Sequence, residues 1–536
     1  MIAALFLLLL VLAAAAGMVV GGISNGKKLR RRVLDQFGRR PQEDYPLEDI
    51  PAYCQLDPAP AIDHTTWADL DMDLVFRRLN SCQSSVGEQV LYAQLHRLSP
   101  PARWEELLTH LEAHPQEREA LWLALARLGK RRGGYSLPEF LFSPVECQLP
   151  LAPLYPVLAW LPLACLALVP FLPWVGGGLF LVSLCGNVAL YYLGKRRVQG
   201  DLDALGAFLS LLSTCRKLES ALTLPAQREE LRAALAPFRP LLGRVPGTGV
   251  TGGADWELCR EYFRLLTLRD LRVYRKAQKL MAAHPQQLRA LFEAVGAVDM
   301  AVAVLSFRAT LPQWCRPVFW EENAYGFTGL FHPLLREPVA NSGRFTKDVL
   351  LTGSNASGKS TFLKALAVNA ILGQSLLTCA AEGCGFRPGP VLTSMAVKDD
   401  IAAGESYFMA EVRSLKRLTD AARLGGCLLF IDEILRGTNT GERLAASQAV
   451  LEELHRRDCL CVAATHDREL TWRLSGAYRN YHFQETLTAD GVQFDYALRD
   501  GPANTQNAIR LLGLLGFPQA TVRRAEELAE QGEERP

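Results

Sequence analysis

Between Leu350 and Leu366 the chain reads "LLTGSNASGKSTFLKAL". Gly353, Ser354, Asn355, Ala356, Ser357, Gly358, Lys359 and Ser360 satisfy the spacing GxxxxGK[ST] at every required position, with Thr361 directly after. Glycines at such spacing let backbone N–H groups wrap a row of phosphates, and the start of a helix adds positive potential. Lys359 would reach the β- and γ-phosphates of a nucleotide, and the Ser360 hydroxyl would bind Mg²⁺. The apolar run before the loop, Asp348 to Leu351, predicts a strand, and "STFLKALAVNAIL" after it predicts a helix. Strand, loop and helix together are the context that this spacing requires.

Two further stretches could complete a hydrolytic site. "CLLFIDEI" (Cys427 to Ile434) is an apolar strand ending in two carboxylates, about seventy residues after the loop. Asp432 is placed to hold the Mg²⁺ shell, and Glu433 to orient and polarise an attacking water. "CLCVAAT" (Cys459 to Thr465) predicts a third strand ending at His466-Asp467. His466 falls where an imidazole could contact a γ-phosphate or its water; a structural role is the alternative.

The elements that position these groups fall into several segments. Residues 1–26 contain no charged side chain and are followed at once by "KKLRRR" (Lys27 to Arg32). A cleaved signal peptide carries its positive charges before the apolar run, so a retained anchor with its N-terminus outside fits better. Residues 147–194 form a second uncharged stretch, about twice what one spanning helix needs. Pro170, Pro173 and the Gly176–Gly178 run sit midway, where a hairpin turn is expected. Lys130, Arg131 and Arg132 precede this stretch, and Lys195, Arg196 and Arg197 follow it, which predicts that both ends face the cytoplasm. A buried hairpin of a soluble core is the competing reading.

The division is then a transmembrane anchor at 1–26, a lead-in and helical segment at 27–146, a transmembrane hairpin at 147–194, a helical core or lever-like domain at 195–310, and an α/β domain at 311–536. The fold class is α+β and multi-domain. It combines transmembrane helices and a helical core with a C-terminal α/β ATPase built on the phosphate loop. The predicted location is a multi-pass protein of the cell membrane with the nucleotide-binding domain in the cytoplasm.

Four motifs occur in order: "TGSNASGKSTFLKAL", "DDIAAGESYFMAEV" (Asp399 to Val412), "LLFIDEILRGTNTGE" (Leu428 to Glu442) and "ATHDREL" (Ala464 to Leu470). Together they resemble the ATPase domain of the MutS family, whose fold is related to that of ABC ATPases. The likeness extends to "GLFHPLL", Asn341 and "NTQNAIRLLGLLGFPQATVRRAEEL", and more weakly to Thr66–Tyr92. It covers about 60–146 and 200–530. The resemblance implies ATP and Mg²⁺ as ligands, phosphate binding by Gly353 to Thr361, and Mg²⁺ held by Ser360 and Asp432. It also implies Glu433 as catalytic base and His466 as a switch histidine. Ser406 would reach in trans to the γ-phosphate of a second subunit, and Arg436 to Thr440 would line the seam of a homodimer. Hydrolysis would open that dimer and move the helical regions.

The departures set limits. Repair-type members carry an N-terminal mismatch-reading domain, where this chain has an apolar anchor and a short lead-in; Phe319-Trp320-Glu321 matches the wedge letters but lies just before the ATPase. The chain therefore resembles a membrane-associated branch of the family. Its charge balance, 58 basic against 56 acidic residues, points to no acidic partner as a whole. The thirteen cysteines form no metal-spaced set. The expected function is a slow ATP-driven switch held by membrane lipid and acting on an unidentified protein partner. A membrane-tethered DNA-binding repair or recombination protein is the alternative; basic helical stretches such as "RDLRVYRKAQK" (Arg269 to Lys279) could touch phosphates, with a solvated charged face the favoured reading of them. A transporter ATPase ranks last, because "GESYF" departs from the ABC signature and no intramembrane charge marks a route.

Overall fold

The computed structural model describes residues 26–42, 47–56, 61–143, 149, 151–242, 267–354, 357–395, 407–435, 438–488, 491–503 and 516–533. The apolar segment 1–25, Asn355, Ala356, Ser406 and Arg436 lie outside them. The chain forms two compact units. One comprises residues 1–58, 79–93 and 101–310; the other comprises 59–78, 94–100 and 311–536. The stretch 27–146, read from sequence as one segment, thus contributes to both.

The first unit is helical. Its elements are α1 (Ser85–Leu95, which ends in the second unit), α2 (Trp104–Ala113), α3 (Pro115–Leu128), α4 (Tyr155–Leu168), α5 (Pro173–Ala221), α6 (Pro225–Leu235), α7 (Arg269–Ala283) and α8 (Pro285–Ala309). Helix α8 is apolar on nearly every side, as a helix enclosed by others must be. Its one buried carboxylate, Asp299, accepts hydrogen bonds from Gln83 N (3.0 Å), Ser84 N (2.9 Å) and Ser84 Oγ (2.6 Å), donors at the start of α1. Only glycine fits at 87, because a Cβ there would lie 2.3 Å from Asp299 Oδ2. Burial raises the Asp299 pKa to about 6, against the lowering effect of these hydrogen bonds.

Helices α4 and α5 form the expected hairpin, with two differences. The turn falls at 169–172, and Gly176–Gly178 lie inside α5. Gly176 serves close packing instead: a Cβ there would sit 2.8 Å from Val169 N. Helix α5 also runs past 194 to Ala221, bending at Val198 (φ −112°, ψ 16°) just after Lys195-Arg196-Arg197. The two arms are unequal, since the 14 residues of α4 rise only about 21 Å.

Helices α5 and α8 are both long and apolar enough to cross a membrane by length and composition. The most apolar stretch of α8 is 83% buried within the protein, whereas that of α5 is 22% buried. Trp174 is 93% exposed, Phe171 83% and Val182 71%.

The second unit is α/β, as its alternating pattern predicts. Its strands are β1 (Val318–Phe319), β2 (Tyr325–Leu330), β3 (Asn341–Phe345), β4 (Val349–Thr352), β5 (Gly383–Phe386), β6 (Val391–Ser394), β7 (Cys427–Asp432), β8 (Cys459–Ala464), β9 (Arg479–His482), β10 (Glu485–Thr488), β11 (Gly491–Phe494) and β12 (Arg499–Asp500). The main sheet has the order β12-β9-β4-β8-β7-β6, parallel except for β12. A four-stranded sheet, β1-β5-β2-β3, and the hairpin β10-β11 flank it in sequence. Every residue of β4, β6, β7 and β8 is buried, as strands covered on both faces require. The longer helices of this unit are α9 (Lys359–Leu376), α10 (Tyr407–Ala422), α11 (Thr440–His455) and α12 (Gln519–Glu533).

The far end of the main sheet is finished by residues from much earlier in the chain. The short helix His64–Asp69 begins at Asp63, which accepts Thr66 N at 2.8 Å. Asp69 accepts Thr393 Oγ1 (2.7 Å) and Met395 N (3.0 Å) along β6. Asp63 pairs with Arg417 of α10, and Asp71 with Lys364 of α9 at 2.6 Å. Edge groups of β6 thereby find partners within the unit.

Candidate functional site

The three sequence elements meet at the C-terminal ends of adjacent parallel strands β4, β8 and β7, the edge of such sheets where ligands bind. The loop after β4 is tight. Gly353 (φ 143°) and Gly358 (φ 102°) adopt backbone that favours glycine, and added Cβ atoms would lie 2.7 Å from Phe483 O and 2.9 Å from Tyr496 Cδ1. Helix α9 starts at Lys359, with Ser360 and Thr361 exposed in its first turn.

Lys359 is buried, and its ammonium donates to Gly353 O (2.6 Å) and Ser354 O (2.8 Å). These carbonyls compensate the buried charge. The Ser354 hydroxyl is bonded to Glu485, a buried carboxylate at the start of β10. Ser357 Oγ and Asp432 Oδ1 are buried and have no hydrogen-bond partner among the described residues. An orphaned carboxylate oxygen inside a protein carries an unmet desolvation cost. Its place at the end of β7 fits a cation ligand, and carboxylate and hydroxyl oxygens such as those of Asp432 and Ser360 are the hard donors that Mg²⁺ takes.

Beyond Asp432 the chain turns sharply. Glu433 (φ 62°) and Leu435 (φ 57°) both occupy the left-handed region, uncommon for residues with side chains. Glu433 N donates to Ala464 O at 3.0 Å, which fixes this corner to the end of β8. At that end, Thr465 N donates to Leu351 O of β4 at 2.9 Å. Glu433 Oε2 then lies 3.3 Å from His466 Nδ1. The hydrogen bond to Glu433 and the neighbouring carboxylates raise the His466 pKa, with partial burial opposing.

A second pair lies beside the first. Arg443 of α11 grips Asp467 with two bonds, Nε to Oδ2 at 2.9 Å and Nη2 to Oδ1 at 2.7 Å. This fork-on-carboxylate geometry ties α11 to the residue next to His466. Helix α11 is itself capped by Asn439, whose Oδ1 accepts Glu442 N at 3.0 Å. Residues 438–440 of the expected seam loop therefore connect by short links to the histidine.

On the other side of Gly358 is a cavity of about 310 Å³, lined among others by Phe331, His332, Val339, Phe362 and Tyr496. Asn341 holds its rim, donating to Tyr496 O (3.0 Å) and accepting Leu498 N (2.7 Å). Burial lowers the His332 pKa to about 4, so this ring is neutral at pH 7.

Glu433, His466, Asp432 and Lys359 are thus placed by these three strand ends, and Gly353, Ser354, Ser357, Gly358, Ser360 and Thr361 by the loop. Asn355, Ala356 and Ser406 are outside the described residues. The roles of Arg443, Glu485 and Tyr496 had no local signal: each depends on a partner 24 or more residues away.

The domain described as MutS domain V matches residues 349–533. The DNA mismatch repair protein MutS of Natronomonas pharaonis is 34% identical over 267 residues, 48% of this chain and 31% of its own length. DNA mismatch repair protein MutS 2 of Halobacterium salinarum is 33% identical over 46% of this chain and 30% of its length. The MutS of Roseiflexus sp. (strain RS-1) is 32% identical over 44% and 23%. The matched region spans about a third or less of these relatives. Strand β4, the phosphate loop, the carboxylate corner and His466 after β8 all lie within the region that matches MutS domain V.

Proposed function

We propose that this chain is an ATPase that binds MgATP in the loop after β4 and works as a slow, dimeric, membrane-held switch. The observation that carries the reading is the Glu433–His466 pair beside the orphaned Asp432 oxygen, at the strand ends that also present the phosphate loop. The loop N–H groups and Lys359 would bind the phosphates, with Lys359 leaving its own carbonyls to do so. The cavity at Tyr496 is suited by position and apolar lining to the nucleoside. Ser360 and Asp432 would hold Mg²⁺, which supplies charge neutralisation across the β- and γ-phosphates.

Glu433 would polarise the attacking water. In the present geometry its carboxylate is occupied by His466, an arrangement suited to a site that waits for a signal. Closure of a second subunit on residues 438–440 would supply one through α11, Arg443 and Asp467. Ser406 would complete the partner's site in trans. Switching over hydrolysis is then a population shift between open and closed dimers.

Membrane attachment rests on the hairpin. Trp174 and Tyr191 are separated by about 25 Å along α5, near the thickness of a hydrocarbon core, and aromatic rings favour its two boundaries. The shorter arm α4 would be met by local thinning of the bilayer. The arrangement leaves the ATPase in the cytoplasm and the apolar segment 1–26 as a further anchor.

A second reading is favoured by the names of the relatives, which are DNA mismatch repair proteins. On it, DNA would be the effector of the same ATPase. Turnover by the detergent-solubilised chain, with and without duplex DNA at low salt and with Lys359→Ala as blank, separates the two. Turnover above the blank and indifferent to DNA supports the switch. Stimulation by DNA that vanishes as salt rises supports the repair reading. Wild type equal to the blank in both conditions would sink the ATPase proposal.

A further inference from the structure

Helix α7 has two unlike faces. Leu271, Val273, Tyr274, Ala277 and Met281 are buried, while Arg269, Arg272, Lys276 and Lys279 recur at steps of three and four on the other side. With Arg275 the helix carries five basic side chains against one acid, Asp270. That acid is engaged, because Tyr191 Oη of α5 donates to Asp270 Oδ2 at 3.1 Å.

The same helix is fastened at both feet of the apolar hairpin. At one foot Leu271 packs on Gly194, so closely that a Cβ there would sit 2.6 Å from Leu271 Cδ1. Tyr274 Oη also donates to Asp201 Oδ2 at 2.5 Å, just beyond the bend in α5. At the other foot the Arg275 guanidinium donates to Ala152 O, where the chain enters α4. Lys195 and Arg196 leave the hairpin at this level, with Lys195 Nζ 5.7 Å from the centre of the Tyr191 ring. Two sequence regions more than seventy residues apart thus assemble one basic cluster, and it lies where the uncharged helices end.

We propose that this cluster, formed by Arg269, Arg272, Lys276 and Lys279 with Lys195 and Arg196, binds the phosphates of anionic phospholipid headgroups. The inference rests on the hairpin lying in a bilayer. If it does, Tyr191, Gly194 and Ala152 lie at the headgroup level, and α7 is fastened to the hairpin at that level. Long basic side chains reach such phosphates while their stems remain on protein. The alternative ligand for the stripe, duplex DNA, would have to approach the level that lipid occupies.

The full chain, purified in detergent, is diluted into vesicles of phosphatidylcholine alone or with about one-third phosphatidylglycerol, and recovered by flotation. Wild type should float with both and partition at least about tenfold more strongly into the anionic vesicles at low salt. The triple variant R272Q/K276Q/K279Q should lose that preference, at about fivefold per charge, and float unchanged on phosphatidylcholine. The charge-keeping variant R272K/K276R/K279R should retain it, which separates charge from folding. Equal partition of wild type into both vesicles would overturn the proposal and leave the membrane reading standing. Failure to float on either would overturn both. A preference that survives in the triple variant, or that is abolished by millimolar glycerol phosphate, would remove the cluster as a lipid site. So would duplex DNA binding that the triple variant abolishes in a protein with no anionic-lipid preference.

Discussion

The strand-end site and the α4–α5 hairpin are opposite kinds of misfit. In the site, Asp432 Oδ1 and Ser357 Oγ are polar atoms enclosed without a polar partner among the described residues. On the hairpin, Phe171, Trp174 and Val182 are apolar groups left largely exposed. Each misfit is costly for an isolated chain, by desolvation in one case and exposed hydrocarbon in the other. The sign of each misfit matches the occupant proposed for it: a cation and phosphates for the first, lipid for the second. Helix α8 sharpens the point, because it too is long and apolar enough to cross a membrane and yet finds its cover within the protein.

If the two regions are separate devices, changes at one should leave the other untouched. The largest effect is expected from Glu433→Gln, which should lower ATP turnover by about 10²–10⁴-fold while flotation with vesicles stays at the wild-type level. Loss of flotation in this variant would break the separation. Next is the double change Trp174→Lys and Val182→Lys. On the proposed placement Val182 is mid-span, where a charge costs about 2.5–3.5 kcal/mol on insertion scales, and Trp174 is at the boundary, where it costs little, so flotation on neutral vesicles should fall at least tenfold. Turnover in detergent should be unchanged; an equal fall there would mean that the hairpin is part of the ATPase fold.

A smaller effect tests the orphaned oxygen. Asp432→Asn should leave the thermal midpoint without nucleotide unchanged or higher. It should abolish most of the MgATP stabilisation, which for wild type is about 2.7 kcal/mol at a hundredfold excess over Kd. A full shift in the variant would show that the oxygen awaits something other than Mg²⁺.

The smallest effect is a pH dependence. His466 has a raised folded pKa, so the stabilisation from its pair with Glu433 is fully present below the unfolded imidazole value, about 6.5, and is lost as pH rises through the folded value. The midpoint difference between wild type and His466→Gln should therefore be largest near pH 6 and shrink toward pH 9. The imidazole is nearly half exposed, so the change should be only about 2 °C. A difference independent of pH would assign the pair a packing role.

The site was legible in sequence where its chemistry is local. The glycines, Lys359, the Asp432-Glu433 pair and His466 each sit at the end of an apolar strand, and period and spacing were enough to align them. The Arg443–Asp467 fork was not legible, because it depends on how α11 lies against the segment after β8. Tyr496 and Glu485 reach the loop from more than 120 residues later, through pairing that no window of sequence contains. The hairpin was legible from its missing charges, while its turn was not: the glycine run that resembled a turn packs inside α5 as Gly176 closes on Val169. The basic stripe of α7 was visible as a charge pattern, but its neighbour was not.

One last consequence follows from the discontinuity of the second unit. Residues 59–78 leave the ribosome more than two hundred residues before β4, yet Asp63, Asp69 and Asp71 are needed to close the sheet at β6, α10 and α9. The nascent α/β unit cannot finish folding as a trailing domain; it must reclaim a segment made earlier, after the whole helical region has emerged. A fragment starting at 311 would be born with that edge open, and cutting the gene at the apparent domain border would remove part of the domain.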